Sequence, residues 1–369
     1  MKIGLLTIHR TANYGAVLQA FASKVFLSKY GLVDVIDYSN EHLVKNISLL
    51  RFSFSLHGIK MFLHDLLRLP FRTVLVFRFS SFFNEYYNLT KKVKSDDLLN
   101  GELDFYDAYV CGSDQIWNPD IVSAFGKIDK NYFLYFSPRD SLKLSFASSI
   151  GHHVYNDYEK KEILNLLHDF KLITVRERDG VSQLQTFLRD KEIYHVLDPT
   201  LMLSMDDWLQ ELSVSEVLKF KKKKYILVYS VPRSDLLAKA VDFFRKKFSL
   251  EVIALDPMLL PLSKPDKHIM TAGPKQFIEL FYNATFVVTD SFHGTCFSIV
   301  FNKPFASISS GKRSNRVTSL LSFLNIENRF VKTEDDFSHI DSTMDYSLIT
   351  EKLAYSRKQI EQIFDQAFS

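Results

Sequence analysis

The residues best placed to do chemistry are Thr289-Asp290-Ser291-Phe292-His293-Gly294-Thr295. They join an apolar run, TFVVT, to a helical pattern, so His293 falls between a buried strand and a helix start. Histidine titrates near neutrality and can give a proton in one step and recover it in another. Asp290 and Ser291 stand beside it to orient it or to bind a ligand, and Gly294 lets a ligand approach the backbone. The first turn of the helix adds unsatisfied N–H groups and a positive dipole end, which favour an anion.

Three further loops carry polar groups after strand-like runs. His9-Arg10-Thr11-Ala12-Asn13-Tyr14-Gly15-Ala16 follows the first run and precedes a helix, with Asn13 and Tyr14 as candidate ligand contacts. It matches neither GxGxxG nor a Walker loop, so it names no dinucleotide or ATP. Gly112-Ser113-Asp114-Gln115-Ile116-Trp117-Asn118 brings hydroxyl-binding groups together through Ser113, Asp114, Gln115 and Asn118. Asp114 could equally cap a helix, and Trp117 could stack on a sugar. In Val175-Arg176-Glu177-Arg178-Asp179, Arg176 is a candidate fork for a carboxylate or phosphate. The basic stretch Gly311-Lys312-Arg313-Ser314-Asn315-Arg316 offers Lys312, Arg313 and Arg316 to a multiply charged anion, or is simply a solvated turn.

Positioning these loops requires strands that end where they begin. Ile3–Ile8, a helix through Phe26, a presumptive C-cap at Gly31 and the run Leu32–Tyr38 make a strand–helix–strand unit and hence a parallel sheet. Runs at 108–111, 142–151, 172–178, 192–203, 225–231, 251–255, 285–290 and 304–309 alternate with helical patterns to the end of the chain. The expected fold is α/β, with two doubly wound Rossmann-like domains facing a cleft in which ligands bind at the carboxyl ends of the strands. The expected division is 1–170 for an N-terminal domain, 171–345 for a C-terminal domain and 346–369 for a closing helix. Residues 45–90 read as a basic helical insertion that Pro70 separates into two helices.

Composition bounds the function. A chain of 369 residues exceeds one ordinary core. A net charge of +3 is too small to argue for nucleic acid. Two cysteines, Cys111 and Cys296, without metal-ligand spacing give no zinc site or disulfide framework. The first apolar stretch is too short for a secretory signal, and no run is long enough to span a bilayer. The expectation is a cytoplasmic protein without a metal or tightly bound cofactor. Six Lys/Arg against one acid between Lys45 and Arg78 would draw the insertion to anionic headgroups at the inner face of the membrane. A helical insertion packed on the N-terminal domain is the equal alternative.

Taken together, TANYGAVLQA, CGSDQIWNP, VRERD, VLDPT and TDSFHGTCFSIVFNKPF, with SNRVTSLLSFL behind them, resemble the polysaccharide pyruvyl transferase family. The pieces occur in family order over roughly 7–330. The resemblance implies a GT-B-like fold with the acceptor side in the N-terminal domain and the donor side in the C-terminal one, phosphoenolpyruvate as co-substrate and a cell-surface glycan, often lipid-linked, as acceptor. It puts the motif histidine at His293 and the first-loop polar residue at Asn13. The implied general acid/base is His293, with Asp114 or Asp290 orienting it or binding sugar hydroxyls. Arg176, Ser291, Gly294, Lys312, Arg313 and Arg316 fall on the donor side. Asn13, Tyr14, Ser113, Gln115, Trp117 and Asn118 fall on the acceptor side. Many members carry Arg-Leu-His where this chain has Ser291-Phe292-His293, so the anion-binding role passes to Lys312, Arg313 or Arg316, or the donor is held differently. The competing readings are a GT-B glycosyltransferase with a nucleotide-sugar donor and a non-catalytic glycan- or anion-binding protein.

Overall fold

A computed structural model describes residues 1–43, 49–50, 55–214 and 224–369, with the side chains of Leu56, His57, Lys60, His64, Lys312 and Arg313 left aside. The chain divides into two compact units. Unit 1 comprises Met1–Ile47, Phe83–Met202 and Leu353–Ser369; unit 2 comprises Ser48–Phe82 and Leu203–Lys352.

Unit 1 is built on parallel strands β1 (Lys2–Leu6), β2 (Leu32–Val35), β3 (Ala108–Cys111) and β4 (Leu142–Ser145) in the order β2-β1-β3-β4. A parallel pair, β5 (Ile173–Val175) and β6 (Ile193–His195), joins the β4 segment through the isolated bridges Leu144↔Leu172 and Ser148↔Val175. Residues 171–202 fall in unit 1, so the division lies some thirty residues beyond position 170. The strands are short apolar runs because helices cover both faces of a parallel sheet. Helix α1 (Tyr14–Leu27) starts at Asn13, whose Oδ1 accepts from the N–H groups of Gly15 at 2.9 Å and Ala16 at 3.4 Å. Gly31 does not end this helix. A Cβ there would run into the Met1 carbonyl, which accepts from the Leu32 N–H at 2.9 Å; the glycine serves close approach to β1. Phe364 returns near the chain end to pack on Phe26 and Phe146 at 5.1 and 5.0 Å between ring centroids. Burying each such side chain stabilises by roughly 1.5–3 kcal/mol.

Unit 2 carries a six-stranded, all-parallel sheet: β7 (Tyr225–Tyr229), β8 (Glu251–Leu255), β9 (Lys267–Ile269), β10 (Phe286–Thr289), β11 (Phe305–Ile308) and β12 (Phe330–Val331). Their order, β12-β11-β10-β7-β8-β9, reverses direction between β7 and β10, the usual ligand-binding position in such sheets. Tyr225–Tyr229 and Phe286–Thr289 are buried throughout. This doubly wound α/β class agrees with the sequence reading.

The basic insertion differs from expectation. Helix α2 (Leu56–Tyr86) runs unbroken through Pro70. Pro70 is exposed, and so is Leu66, whose carbonyl loses its helical donor there; water can replace the missing hydrogen bond, so the helix continues. Part of the segment belongs to unit 2: the Arg78 guanidinium donates to the Thr271 carbonyl at 2.8 Å and to Gln276 Oε1 at 2.7 Å. Arg68 and Arg72 are buried, whereas Ile59, Leu63, Leu66, Leu67, Phe71 and Phe77 are exposed. The described arginines therefore turn inward or are already bonded, which removes them as headgroup ligands. Lys45, Arg51 and the lysines at 221–223 lie outside the described residues. Among the described residues, no helix is long and apolar enough to cross a membrane.

Candidate functional site

In unit 1 three motifs meet at the carboxyl ends of β3 to β6. Arg176, after β5, donates through Nη1 to Asp198 Oδ2 at 2.6 Å. Its Nη2 lies 3.6 Å from Asp114 Oδ1, and its Nε lies 3.7 Å from Glu177 Oε1. Asp198 also accepts from the Thr200 N–H at 2.9 Å and hydroxyl at 2.6 Å, and Ser149 Oγ donates to Glu177. Burial alone would lower the Arg176 pKa, but the three carboxylates more than offset it and raise the pKa. VRERD, VLDPT and the aspartate of CGSDQIWNP thus form one buried network.

Arg176 was expected on the donor side. It lies instead in unit 1 with its charge surrounded by three carboxylates, an environment that repels phosphate and carboxylate. Trp117, expected to stack on a sugar, is core: it is 1% exposed, donates its indole N–H to the Tyr132 carbonyl at 3.0 Å and stacks on Phe133 at 5.2 Å. Asn118 is fully buried and caps the short helix Pro119–Val122, accepting from the Asp120 N–H at 3.1 Å while donating to Gln115 Oε1 at 3.0 Å. Tyr14 is buried. Asn13 is exposed, and Asp114 and Gln115 are partly so, at the carboxyl edge of the sheet. Ser113 is fully buried, and its Oγ has no hydrogen-bond partner among the described residues.

The sequence reading missed two clusters here. Gln19, inside α1 and fully buried, donates to Thr7 Oγ1 at 2.9 Å and accepts from the Ser113 N–H at 3.2 Å. It ties the loop after β1 to the loop after β3. Asp37 accepts from Arg10 in a two-pronged pair and from His9 Nε2 at 3.3 Å. Burial, the largest single influence, raises the Asp37 pKa, yet the Arg10 and His9 bonds outweigh it and hold the carboxyl at about 2. The available signals were a glutamine on an otherwise apolar helix face and an acid directly after a strand.

Unit 2 presents the late motif at the end of β10, beside the reversal of strand order. Asp290 accepts from Ser230 Oγ at 2.8 Å and from the N–H groups of Val231 at 3.0 Å and Ser234 at 3.2 Å. It therefore fastens the loop after β7, and burial raises its pKa despite these bonds. Ser291 caps the helix Phe292–Val300, its Oγ accepting from the Gly294 N–H at 3.4 Å. Gly294 is required because a Cβ would collide with the Thr289 side chain, whose hydroxyl donates to the Tyr229 carbonyl at 2.6 Å. His293 sits in the first helical turn, 8% exposed. The Arg316 guanidinium lies over the Phe292 ring, 5.3 Å from its centroid, a favourable cation–π distance. Of the three candidate bases after β11, Arg316 is thus placed against the motif; the side chains of Lys312 and Arg313 lie outside the described residues. Among the described residues, no group of three or more His, Cys, Asp or Glu is arranged to hold a metal ion.

Both units are parallel-sheet α/β folds, and unit 2 sets a histidine in the first turn of the helix after β10, next to the Phe292 ring that carries the Arg316 guanidinium. The sequence profile described as polysaccharide pyruvyl transferase matches residues 13–312, and the chain belongs to that family. Among curated proteins, no relative matches it. Among solved structures it is similar to UDP-N-acetylglucosamine 2-epimerase from Rickettsia bellii, at 11% identity and TM-score 0.47, covering 100% of this chain and 97% of that one. It is also similar to UDP-GlcNAc 2-epimerase from Methanocaldococcus jannaschii, at 12% identity and TM-score 0.47, covering 99% and 100%. An α-glucosyltransferase in complex with UDP and DNA is similar at 10% identity and TM-score 0.48, covering 100% of each chain.

Proposed function

We propose that the chain transfers the enolpyruvyl carbons of phosphoenolpyruvate to two hydroxyls of a sugar, forming a pyruvate ketal on a cell-surface polysaccharide or its lipid-linked precursor. A proton adds to the donor's methylene carbon, and one sugar oxygen bonds to the adjacent carbon. The C–O bond to phosphate breaks, and a second sugar oxygen completes the ketal. Of the two hydroxyl protons released overall, one balances the new methyl group and the other leaves on phosphate.

The observation that carries this reading is His293 in the first turn of Phe292–Val300, next to the ring on which Arg316 rests. The helix end and guanidinium suit the donor's two anionic groups, and His293 serves as general acid/base. Asp290, with its three donors, holds the loop after β7. In unit 1, Asp114, Asn13 and Gln115 are the candidates for sugar hydroxyls.

The test combines ligand-induced thermal stabilisation with phosphate release in the presence of a cell-envelope polysaccharide extract. Phosphoenolpyruvate should stabilise the protein more than equal concentrations of inorganic phosphate or UDP-sugars. His293→Ala should stay folded and lose about 10²–10⁴-fold in turnover. Turnover within a few-fold of wild type would remove His293 from the mechanism. Stabilisation by a UDP-sugar, with none by phosphoenolpyruvate even when acceptor is present, would favour glycosyl transfer.

A further inference from the structure

Beyond the carboxyl end of β2, unit 1 holds a cavity of about 690 Å³ that none of the motif loops lines. This lies within the roughly 300–1,000 Å³ of ordinary ligand pockets. One wall is a rigid polar lattice. Asp129 Oδ2 accepts from the Tyr38 hydroxyl at 2.8 Å and from Asn40 Nδ2 at 2.9 Å. Asn131 Nδ2 donates to the Tyr38 oxygen at 3.0 Å and to Ser95 Oγ at 2.9 Å. Tyr38, Asn40 and Asn131 are all buried. Against this wall stand two aromatic side chains that the fold leaves uncovered, Phe125 at 85% and Tyr135 at 60% exposure.

The charges select the ligand. Glu41 and Asp129 are matched by Lys127 and Lys130 in the lining. Lys130 is also paired with Glu162 at 3.1 Å and lies over the Tyr135 ring at 5.7 Å. An anion gains no net attraction there, whereas a ligand with an apolar C–H face and a rim of hydroxyls matches both the rings and the polar wall. We infer that this cavity binds a neutral glycan segment, with sugar rings lying on Phe125 and Tyr135, apart from the motif residues of either unit. The inference rests on the reading that the chain acts on a polysaccharide, and it assigns a place where the acceptor is gripped away from the reacting hydroxyls.

Saturation-transfer NMR tests it on the full chain without donor. The probes are methyl glycosides of glucose, galactose, mannose and N-acetylglucosamine, and disaccharides of each. At least one probe should show contact through its ring C–H protons. The double variant Phe125→Ala/Tyr135→Ala, with an unchanged melting curve, should weaken that binding about tenfold, equivalent to about 1.4 kcal/mol. Phe105→Ala, which removes an equally exposed ring outside the cavity, should leave it unchanged. No binding by wild type, binding within twofold of wild type in the double variant, or an equal loss in Phe105→Ala would each overturn the inference. Donor chemistry is read separately by phosphate release, so a failure here is distinguishable from a failure of pyruvyl transfer.

Discussion

Replacing Asp37 by Asn removes one buried charge with little change of shape. In the folded protein Arg10 and His9 hold the carboxyl at about 2 instead of its ordinary 3.8, and its side chain is only 3% exposed. That difference corresponds to about 2 kcal/mol of stability at neutral pH. The sign follows from the lowered pKa: the contribution is complete above the unfolded value of 3.8 and is lost as pH falls towards about 2. Between pH 6 and pH 3 the gap between wild type and Asp37→Asn should therefore shrink by about 1 kcal/mol. Urea unfolding measures it, provided the signal comes from unit 1. Trp117 and Trp208 are both buried, one in each unit, so a Trp208→Phe background leaves Trp117 as the reporter. A gap below about 0.5 kcal/mol at pH 6, or one that stays constant to pH 3, would refute the ion-pair account, since surface pairs are worth only about 0–1 kcal/mol.

Arg176→Met should destabilise unit 1 by about 3–5 kcal/mol, because it leaves Asp198, Glu177 and Asp114 facing one another without their shared cation; the same tryptophan signal reads it, and a loss below about 1 kcal/mol would contradict the network. Phe292→Leu should leave the melting temperature nearly unchanged but weaken phosphoenolpyruvate binding about 2–30-fold, the range expected from losing a cation–π contact of about 0.5–2 kcal/mol under Arg316. Calorimetric titration measures it, and unchanged affinity would detach Arg316 from the donor site.

The sheets were legible because parallel strands are buried on both faces and so leave continuous apolar runs, as in Tyr225–Tyr229 and Phe286–Thr289. β9 and β12 were not, because Lys267–Ile269 is partly exposed and Phe330–Val331 has only two residues. The late motif's place at a strand end was legible because Ser291, His293 and Gly294 follow an apolar run directly. The fate of Arg176 was hidden: VRERD offers it as a fork for an anionic ligand, and only the pairing of β5 with β6 brings in Asp198, 22 residues away. Trp117 misled in the opposite direction, since residue type suggests a stacking platform while the Tyr132–Phe133 turn encloses it.

The residues at 291–293 each have a distinct local task. A serine at 291 caps the helix through the Gly294 N–H, a task that a long cationic side chain at that position cannot perform in the same way. Arg316 brings a positive charge against the motif, its guanidinium over the Phe292 ring at 5.3 Å from the centroid. A leucine at 292 would offer bulk without a π face. Ser291 as the cap, Phe292 as the ring and Arg316, 25 residues beyond Ser291, as the cation make one arrangement. The pyruvyl transfer proposed above would draw on a histidine in the first turn of this helix and on the guanidinium over the neighbouring Phe292 ring.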